Sequence, residues 1–328
     1  MNFSNQRILL TGGAGYIGSH VLNLLKKTGA EVVVLDDLSS GRKEALSFGH
    51  FIQGDLGDVS LLKSLFESYH FTAVLHFAGK IIVNESVAKP LYYYQENTQN
   101  SLQLLRFCSE YDVKHFIFSS SAAVYGHSEQ GLIDEDHPCQ PISPYGASKY
   151  FVEKILHDMA LVKKNFSYIA LRYFNVAGAD FKVGLGQYFP QATHLIKIAC
   201  QVALGRQAYL KIFGKDYPTR DGTCIRDYIH VKDLAHLHLR SLLHLIEGAS
   251  SDVFNCGYGQ GVSVQEVVDC MKETLSIPLR TQIADRREGD PAVLVANSDK
   301  LKRAFAWTPE FADLKEMIYS AYCFEKSL

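Results

Sequence analysis

Short continuous runs of Val, Ile, Leu and Phe recur through the first half of the chain, and between them apolar residues return every third or fourth position. The runs are RILLTG, EVVVLD, HFIQGD, TAVLHFAG, HFIFSSS and SYIALRYFNV; the intervening segments include GSHVLNLLKKTG and NSLQLLRFCSEYDV. Strands apolar on both faces, separated by amphipathic helices, predict a parallel sheet covered on both sides. That is a doubly wound α/β domain, whose ligands bind at the carboxyl ends of the strands. Past about residue 176 the rhythm breaks. A loop carrying Gly184 and Gly186 leads into a helical THLIKIACQVALG, then a short strand LKIFG and the apolar RDYIHVKDLAHLHLRSLLHLI. The pattern divides the chain into an α/β domain over 1–176 and a smaller C-terminal substrate lobe over 177–328, with some later elements expected to return to the large sheet.

Composition narrows the partners. The 328 residues are 47% hydrophobic with a net charge of −2, which favours neither nucleic acid nor an anionic membrane surface. No twenty-residue apolar run or signal-type segment is present, and seven cysteines without a C-x-x-C pair fit reduced thiols, so a cytoplasmic location is expected. Thirteen histidines come closest to a ligand cluster at His236 and His238, without acidic or cysteine partners at metal spacing; they read as core or surface residues, and no metal is expected.

The first chemistry lies in LLTGGAGYIGSHVLNLL, a strand followed by glycines at 12, 15 and 18 and then a helix. Glycines let the backbone turn tightly and approach a pyrophosphate, whose charge the helix N-terminus stabilises. The next strand ends in Asp36 and Asp37. A carboxylate about 20 residues past the glycines accepts hydrogen bonds from the adenosine ribose and repels a 2′-phosphate, so NAD is favoured over NADP, despite Arg42 nearby. The domain is therefore expected to be a Rossmann domain.

The second lies in SPYGASKYFVEK, where Tyr145 and Lys149 stand one helical turn apart and share a face. A lysine there favours the phenolate form of the tyrosine. Working at pH 7 requires a shift of about three units, roughly 4 kcal/mol, more than one exposed charge supplies. The positive ring of oxidised NAD is the second cation. FSSSAAVYG ends a strand of the same domain, and Ser121 is placed to hydrogen-bond the oxygen that Tyr145 deprotonates; Ser119 and Ser120 read as a strand-end turn.

These features together resemble the extended short-chain dehydrogenase/reductases and, within them, the nucleotide-sugar 4-epimerases. The resemblance spans nearly the whole chain through GGAGYIGSH, LHFAG, ESVAKPLYYYQEN, FSSSAAVYG, SPYGASK, LRYFNVAGA, FGKDYPTRDGTCIRDYIHV and RREGDPA. It implies that Tyr16 and Ile17 join the glycine loop, that Asp36 and Asp37 meet the ribose, and that Asp55 and Leu56 sit near adenine. It also implies that Phe77, Ala78, Gly79, Lys80 and Asn97 lie along the cofactor's far side, and that Phe174 completes the nicotinamide pocket. Ser121, Tyr145 and Lys149 match the family's catalytic trio. Asn175, His194, Leu195, Phe213, Arg226, Arg287, Asp290 and Leu294 match sugar-nucleotide positions, the arginines suiting a diphosphate held bidentately. The implied activity inverts C4 of a UDP-hexose through a transient 4-keto sugar, with NAD as a bound catalytic group.

Several positions depart from the family pattern. Lys80 directly follows Gly79, with Ile81 where many relatives carry a cofactor-holding lysine, so looser retention of NAD is one expectation. Ala123 replaces a common threonine. Leu294 replaces a bulky aromatic of some relatives, leaving space for an N-acetyl group at the sugar's C2. Ala122 and Ala123 also stand where nucleotide-sugar dehydratases carry an acid and a base, and the glutamate common in decarboxylases is missing. A simple dehydrogenase and a non-catalytic NAD sensor are the remaining rivals. PLYYYQENTQNSLQLLRFCSE and the helix from SPYGASK match the pair through which relatives form homodimers; Tyr92–Tyr94 suit either that contact or ordinary core packing.

Overall fold

The computed structural model describes residues 1–126, 132–287 and 290–328. Seven parallel strands form the large sheet in the order β11-β7-β5-β4-β1-β2-β3. They are β1 (Arg7–Thr11), β2 (Glu31–Asp36), β3 (His50–Gln53), β4 (Ala73–His76), β5 (His115–Ser121), β7 (Ser167–Tyr173) and β11 (Asp252–Cys256). The strand order reverses beside β1, where β4 and β2 flank it, and the crevice of such a sheet opens there. β6 (Leu132–Ile133), β8 (Asn175–Ala177), β10 (Ile225–His230), β12 (Gly261–Ser263) and β14 (Val293–Ala296) form a second, mixed sheet, and β9 (Leu210–Phe213) pairs with β13 (Thr281–Ala284).

Strands thus cross position 176 in both directions. β11 pairs with β7 in the large sheet, while β6 from the first half pairs with β14 in the second. The helix Val231–Ile246 packs against helix Tyr16–Leu25 and the large sheet, burying Leu234, Leu237, Leu239 and Leu242. One continuous apolar core therefore runs from Ile8 and Leu10 to Trp307 and Met317. A second core, around Phe66, Phe116 and Phe118, covers the opposite face.

Residues Ser119 and Ser120 are the last strand residues before Ser121, not a strand-end turn; the chain turns only at Ala122–Val124. Their side chains face buried partners, Tyr173 and Glu153, so extended backbone satisfies them better than a turn. Among the described residues, no helix is long and apolar enough to cross a membrane.

Candidate active site

The glycine loop leaves β1 and enters helix Tyr16–Leu25 with Gly15 at its N-cap. Gly12 has φ +72°, and a Cβ there would lie 2.5 Å from the Ala78 nitrogen, so the loop passes flush against the end of β4. Asp36 ends β2 and accepts hydrogen bonds at 2.8 Å from the backbone of both Ala14 and Leu38. Burial pushes its carboxyl up, against those two bonds.

Helix Pro144–Val162 starts where its sequence dictates: Ser143 accepts from the Gly146 N–H at 3.1 Å, and Pro144 occupies the first turn. Tyr145 and Lys149 project from one face and are both buried. The Lys149 ammonium donates to the Ser119 carbonyl at 3.0 Å and lies 5.1 Å from the Phe118 ring centre. Burial lowers its pKa from 10.5 to about 8. Burial also raises the Tyr145 phenol, opposed by a hydrogen bond from Ser121. In the protein alone the phenol therefore stays protonated at neutral pH. Desolvation of a charged oxygen outweighs the hydrogen bond from Ser121.

A single cavity of about 1510 Å³ connects these groups. It runs from Gly12, Gly15, Tyr16, Ile17 and Gly18, past Asp36, Asp37, Asp55 and Leu56, along Phe77, Ala78, Gly79 and Lys80, to Ser121, Tyr145, Lys149 and Phe174. It continues to Asn175, His194, Leu195, Phe213, Arg226, Arg287, Asp290 and Leu294. Of the residues anticipated from sequence, Asn97 alone stands outside the lining. It is buried behind the Gly79–Lys80 backbone, accepting from the Lys80 N–H at 2.7 Å and donating to the Lys80 carbonyl and to Ser148, both at 3.0 Å. Lys80 points toward the loop after β2, bonded to Ser39 at 3.0 Å and 3.8 Å from Asp37 and Glu96.

At the far end Arg226 pairs with Asp290, and the Arg287 guanidinium lies 4.0 Å from the Phe213 ring centre. Arg287 Nε and His194 Nδ1 are buried without a hydrogen-bond partner among the described residues. Both residues line the cavity, where a polar ligand or water can meet their remaining hydrogen-bonding capacity. Glu288 and Gly289 of RREGDPA lie outside the described residues. The wall also includes Gln187, Phe189 and Gln207–Lys211, which sequence reasoning missed. That stretch carries no motif; pairing of β9 with β13 brings it to the cavity.

The glycine cradle, the acidic end of β2 and the length of the cavity fit a dinucleotide, with room for a second ligand beyond Tyr145. Among the described residues no group of three or more His, Cys, Asp or Glu side chains is placed to hold a metal ion. Fold and site together define an enzyme of the NAD-binding Rossmann class. Residues 8–257 match the NAD-dependent epimerase/dehydratase family, and the chain belongs to it.

A UDP-glucose 4-epimerase of Azospirillum brasilense is 50% identical over 99% of this chain and 93% of its own. The solved UDP-Glc/GlcNAc 4-epimerase of Campylobacter jejuni superposes with a TM-score of 0.87 at 44% identity, covering 98% of this chain and 100% of that one. The UDP-glucose 4-epimerase of Brucella ovis, solved in complex with NAD, has a TM-score of 0.93 at 39% identity over 97% of each chain.

Proposed function

We propose that this protein interconverts UDP-glucose and UDP-galactose by inverting C4 through a transient 4-keto sugar. The carrying observation is the single cavity that joins the glycine loop, the Ser121–Tyr145–Lys149 cluster and the paired arginines. When bound, NAD supplies the acceptor and donor of hydride at C4 and a positive charge on its oxidised ring. Glycines 12, 15 and 18 with Asp36 hold it. Tyr145, as phenolate, takes the proton of the sugar O4 and later returns it, and Ser121 holds that same oxygen. Lys149 keeps a positive charge on the tyrosine's helix face. Arg226 and Arg287 grip the diphosphate, so the sugar alone turns over within the wide cavity. Ala122 and Ala123 move no protons, which disfavours a dehydratase.

Leu294 packs with Phe174 against Ala122, Val124, Tyr125 and Ile133, and presents a short aliphatic wall to the cavity. This short wall supports acceptance of a C2 acetamido group, so N-acetylated UDP-hexoses are proposed as further substrates. Incubating the purified protein with UDP-galactose, or with UDP-N-acetylglucosamine, without added NAD tests both statements. The expected products are the C4 epimers, with no stoichiometric rise at 340 nm. Absence of any epimer after NAD is supplied removes the reading, and one NADH per product favours a dehydrogenase.

The chain acts as a homodimer in the cytoplasm, where its seven free thiols stay reduced. Leu91 is 82% exposed, and Phe151 and Val162, eleven residues and so three turns apart on one helix face, are 46% and 80% exposed. Tyr93 is buried and bonded to Glu85, whereas Tyr92 is partly exposed, so the tyrosine triplet serves core and surface at once. Light scattering should give twice the chain mass, and Phe151→Glu should halve it. A monomeric parent protein overturns this.

A further inference from the structure

Helix Pro144–Val162 carries a third buried polar group on the face that presents Tyr145 and Lys149. Glu153 is one further turn along and 4% exposed. Its Oε1 accepts from Ser120 Oγ at 2.5 Å, and both its oxygens accept from Arg172 at 2.6–3.2 Å. Arg172 in turn donates to the Tyr125 hydroxyl at 2.9 Å, and that hydroxyl donates to Asn255 at 2.6 Å.

Three consecutive serines of β5 thus meet three consecutive turns of one helix. Ser121 and Tyr145 meet on the cavity wall, the Ser119 carbonyl holds the Lys149 ammonium, and the Ser120 hydroxyl holds Glu153. Side chains alternate along a strand, so Ser120 points to the opposite face from its two neighbours and reaches Glu153 there. The helix also lies very close to the turn after Ser121, since a Cβ on Gly146 would be 2.3 Å from the Ala123 carbonyl oxygen. That packing limits how far the helix can shift sideways. A bidentate, charge-assisted contact to a neighbouring strand adds a directional restraint on sliding and rotation of the helix.

We infer that Glu153 is a positioning residue for the epimerisation chemistry: held by Arg172 and Ser120, it sets the axial register of the helix so that the Tyr145 oxygen stays within reach of Ser121. This rests on the proposed epimerase reading. The ion pair is buried at both ends, with side-chain exposures of 4% and 7%. A buried pair is weak evidence for added stability, and an apolar pair of similar volume would pack as well. Directional geometry is what such a pair provides and an apolar contact does not. A misplacement of about 1 Å at the reacting groups is enough to cost on the order of a hundredfold in rate.

The test compares Glu153→Gln and Ser120→Ala with the parent protein, as purified with their own cofactor. Turnover per folded site, KM for UDP-galactose and the deuterium isotope effect at sugar C4 are read for each. Glu153→Gln is expected to lower kcat about 30-fold with KM within twofold, and to raise the isotope effect because the chemical step becomes slower. Ser120→Ala keeps the ion pair and is expected to lower kcat about fivefold with the same signature. Glu153→Asp, which retains the charge on a side chain one methylene shorter, is expected to recover part of the rate.

A role in stability alone would lower the melting temperature and the yield of folded protein, leaving kcat per site and the isotope effect unchanged; that result overturns the proposal. If Glu153→Gln does not fold, Ser120→Ala decides, and unchanged kcat in it overturns the proposal equally. A parent protein inactive with NAD and UDP-galactose overturns the epimerase reading and this inference together, whereas an active parent with unaffected variants overturns only the inference.

Discussion

Tyr145→Phe should lose at least a hundredfold of turnover, up to about ten-thousandfold, while UDP-sugar and NAD still bind. The lower figure is what a positioned proton-transfer group typically supplies, and the upper one its common limit. The substitution removes one oxygen from a buried ring and adds nothing, so the cavity keeps its shape and Lys149 its contact with the Ser119 carbonyl. Ser121 loses its partner but still accepts from the Ala123 N–H at 3.1 Å. No other group can take over the proton. The Lys149 ammonium is engaged elsewhere, and Ala122 and Ala123 carry no titratable atom.

The pH profile sharpens the expectation. Burial raises the phenol and lowers Lys149 to about 8, so the protein's own groups hold tyrosine protonated at neutral pH. Turnover that depends on phenolate must fall as pH drops below the phenol's value in the cofactor-bound enzyme. The residual rate of the variant should be flat there. Equilibrium binding of UDP-galactose beside steady-state kinetics checks both parts. A variant turning over within threefold of the parent removes Tyr145 from the mechanism.

Acid should unfold this protein early, the loss beginning near pH 6.5 and continuing as pH falls toward 4. His20, His76, His230 and His238 are each at most 3% exposed, and burial lowers them to about 4, 3, 3 and 4. A histidine with a depressed folded-state pKa binds its proton more readily in the unfolded chain. Its contribution is therefore present above the unfolded value of about 6.5 and is lost as pH falls below it. From pH 7 to 5 that amounts to about 2 kcal/mol per histidine, or on the order of 8 kcal/mol for four. Asp227 works in the opposite sense. Burial raises it to about 6, so acidification relieves roughly 1 kcal/mol of strain over the same range. Asp36 and Glu135, also raised by burial, add to that relief.

The remainder is still several kcal/mol against a typical total of about 5–15. Urea titrations at pH 7, 6 and 5 should show the unfolding free energy falling steeply over the lower step. His76 is a fair test, since its ring nitrogens bond two uncharged side chains, Thr11 at 2.6 Å and Ser101 at 2.8 Å. His76→Gln should be less stable at pH 7 yet lose about 2 kcal/mol less than the parent between pH 7 and 5, the share of one histidine. Stability unchanged from pH 7 to 5 would mean that these rings carry their protons inside the fold.

Lys80 shows how a shifted motif plays out in three dimensions. In sequence it stands one place early for a cofactor-holding lysine. In space its ammonium reaches the loop after β2, at Ser39 and Asp37, and also Glu96 on the opposite wall. Asn97 shows the reverse. Its motif marks a cofactor neighbour, yet it acts through the backbone of Gly79 and Lys80 rather than by lining the cavity. Spacing along a chain records which groups lie near one another, but the direction of a side chain depends on the elements packed around it.

What the sequence alone determined are the features built from near neighbours in the chain. The apolar runs made the parallel strands, the glycines after β1 made a close turn into a helix, and Ser143-Pro144 started the helix on which Tyr145 and Lys149 share a face. These depend on a few residues within one or two turns, where steric limits and hydrogen-bond spacing leave little choice. Only the tertiary structure decided the rest. It took β11 into the large sheet and β6 out of it, brought Gln207–Lys211 to the cavity, and turned Ser120 toward Glu153 and Arg172 while Ser121 faced Tyr145. Those outcomes join residues tens of positions apart, and burying apolar surface and pairing buried charge select them only once the whole chain has closed around its cores.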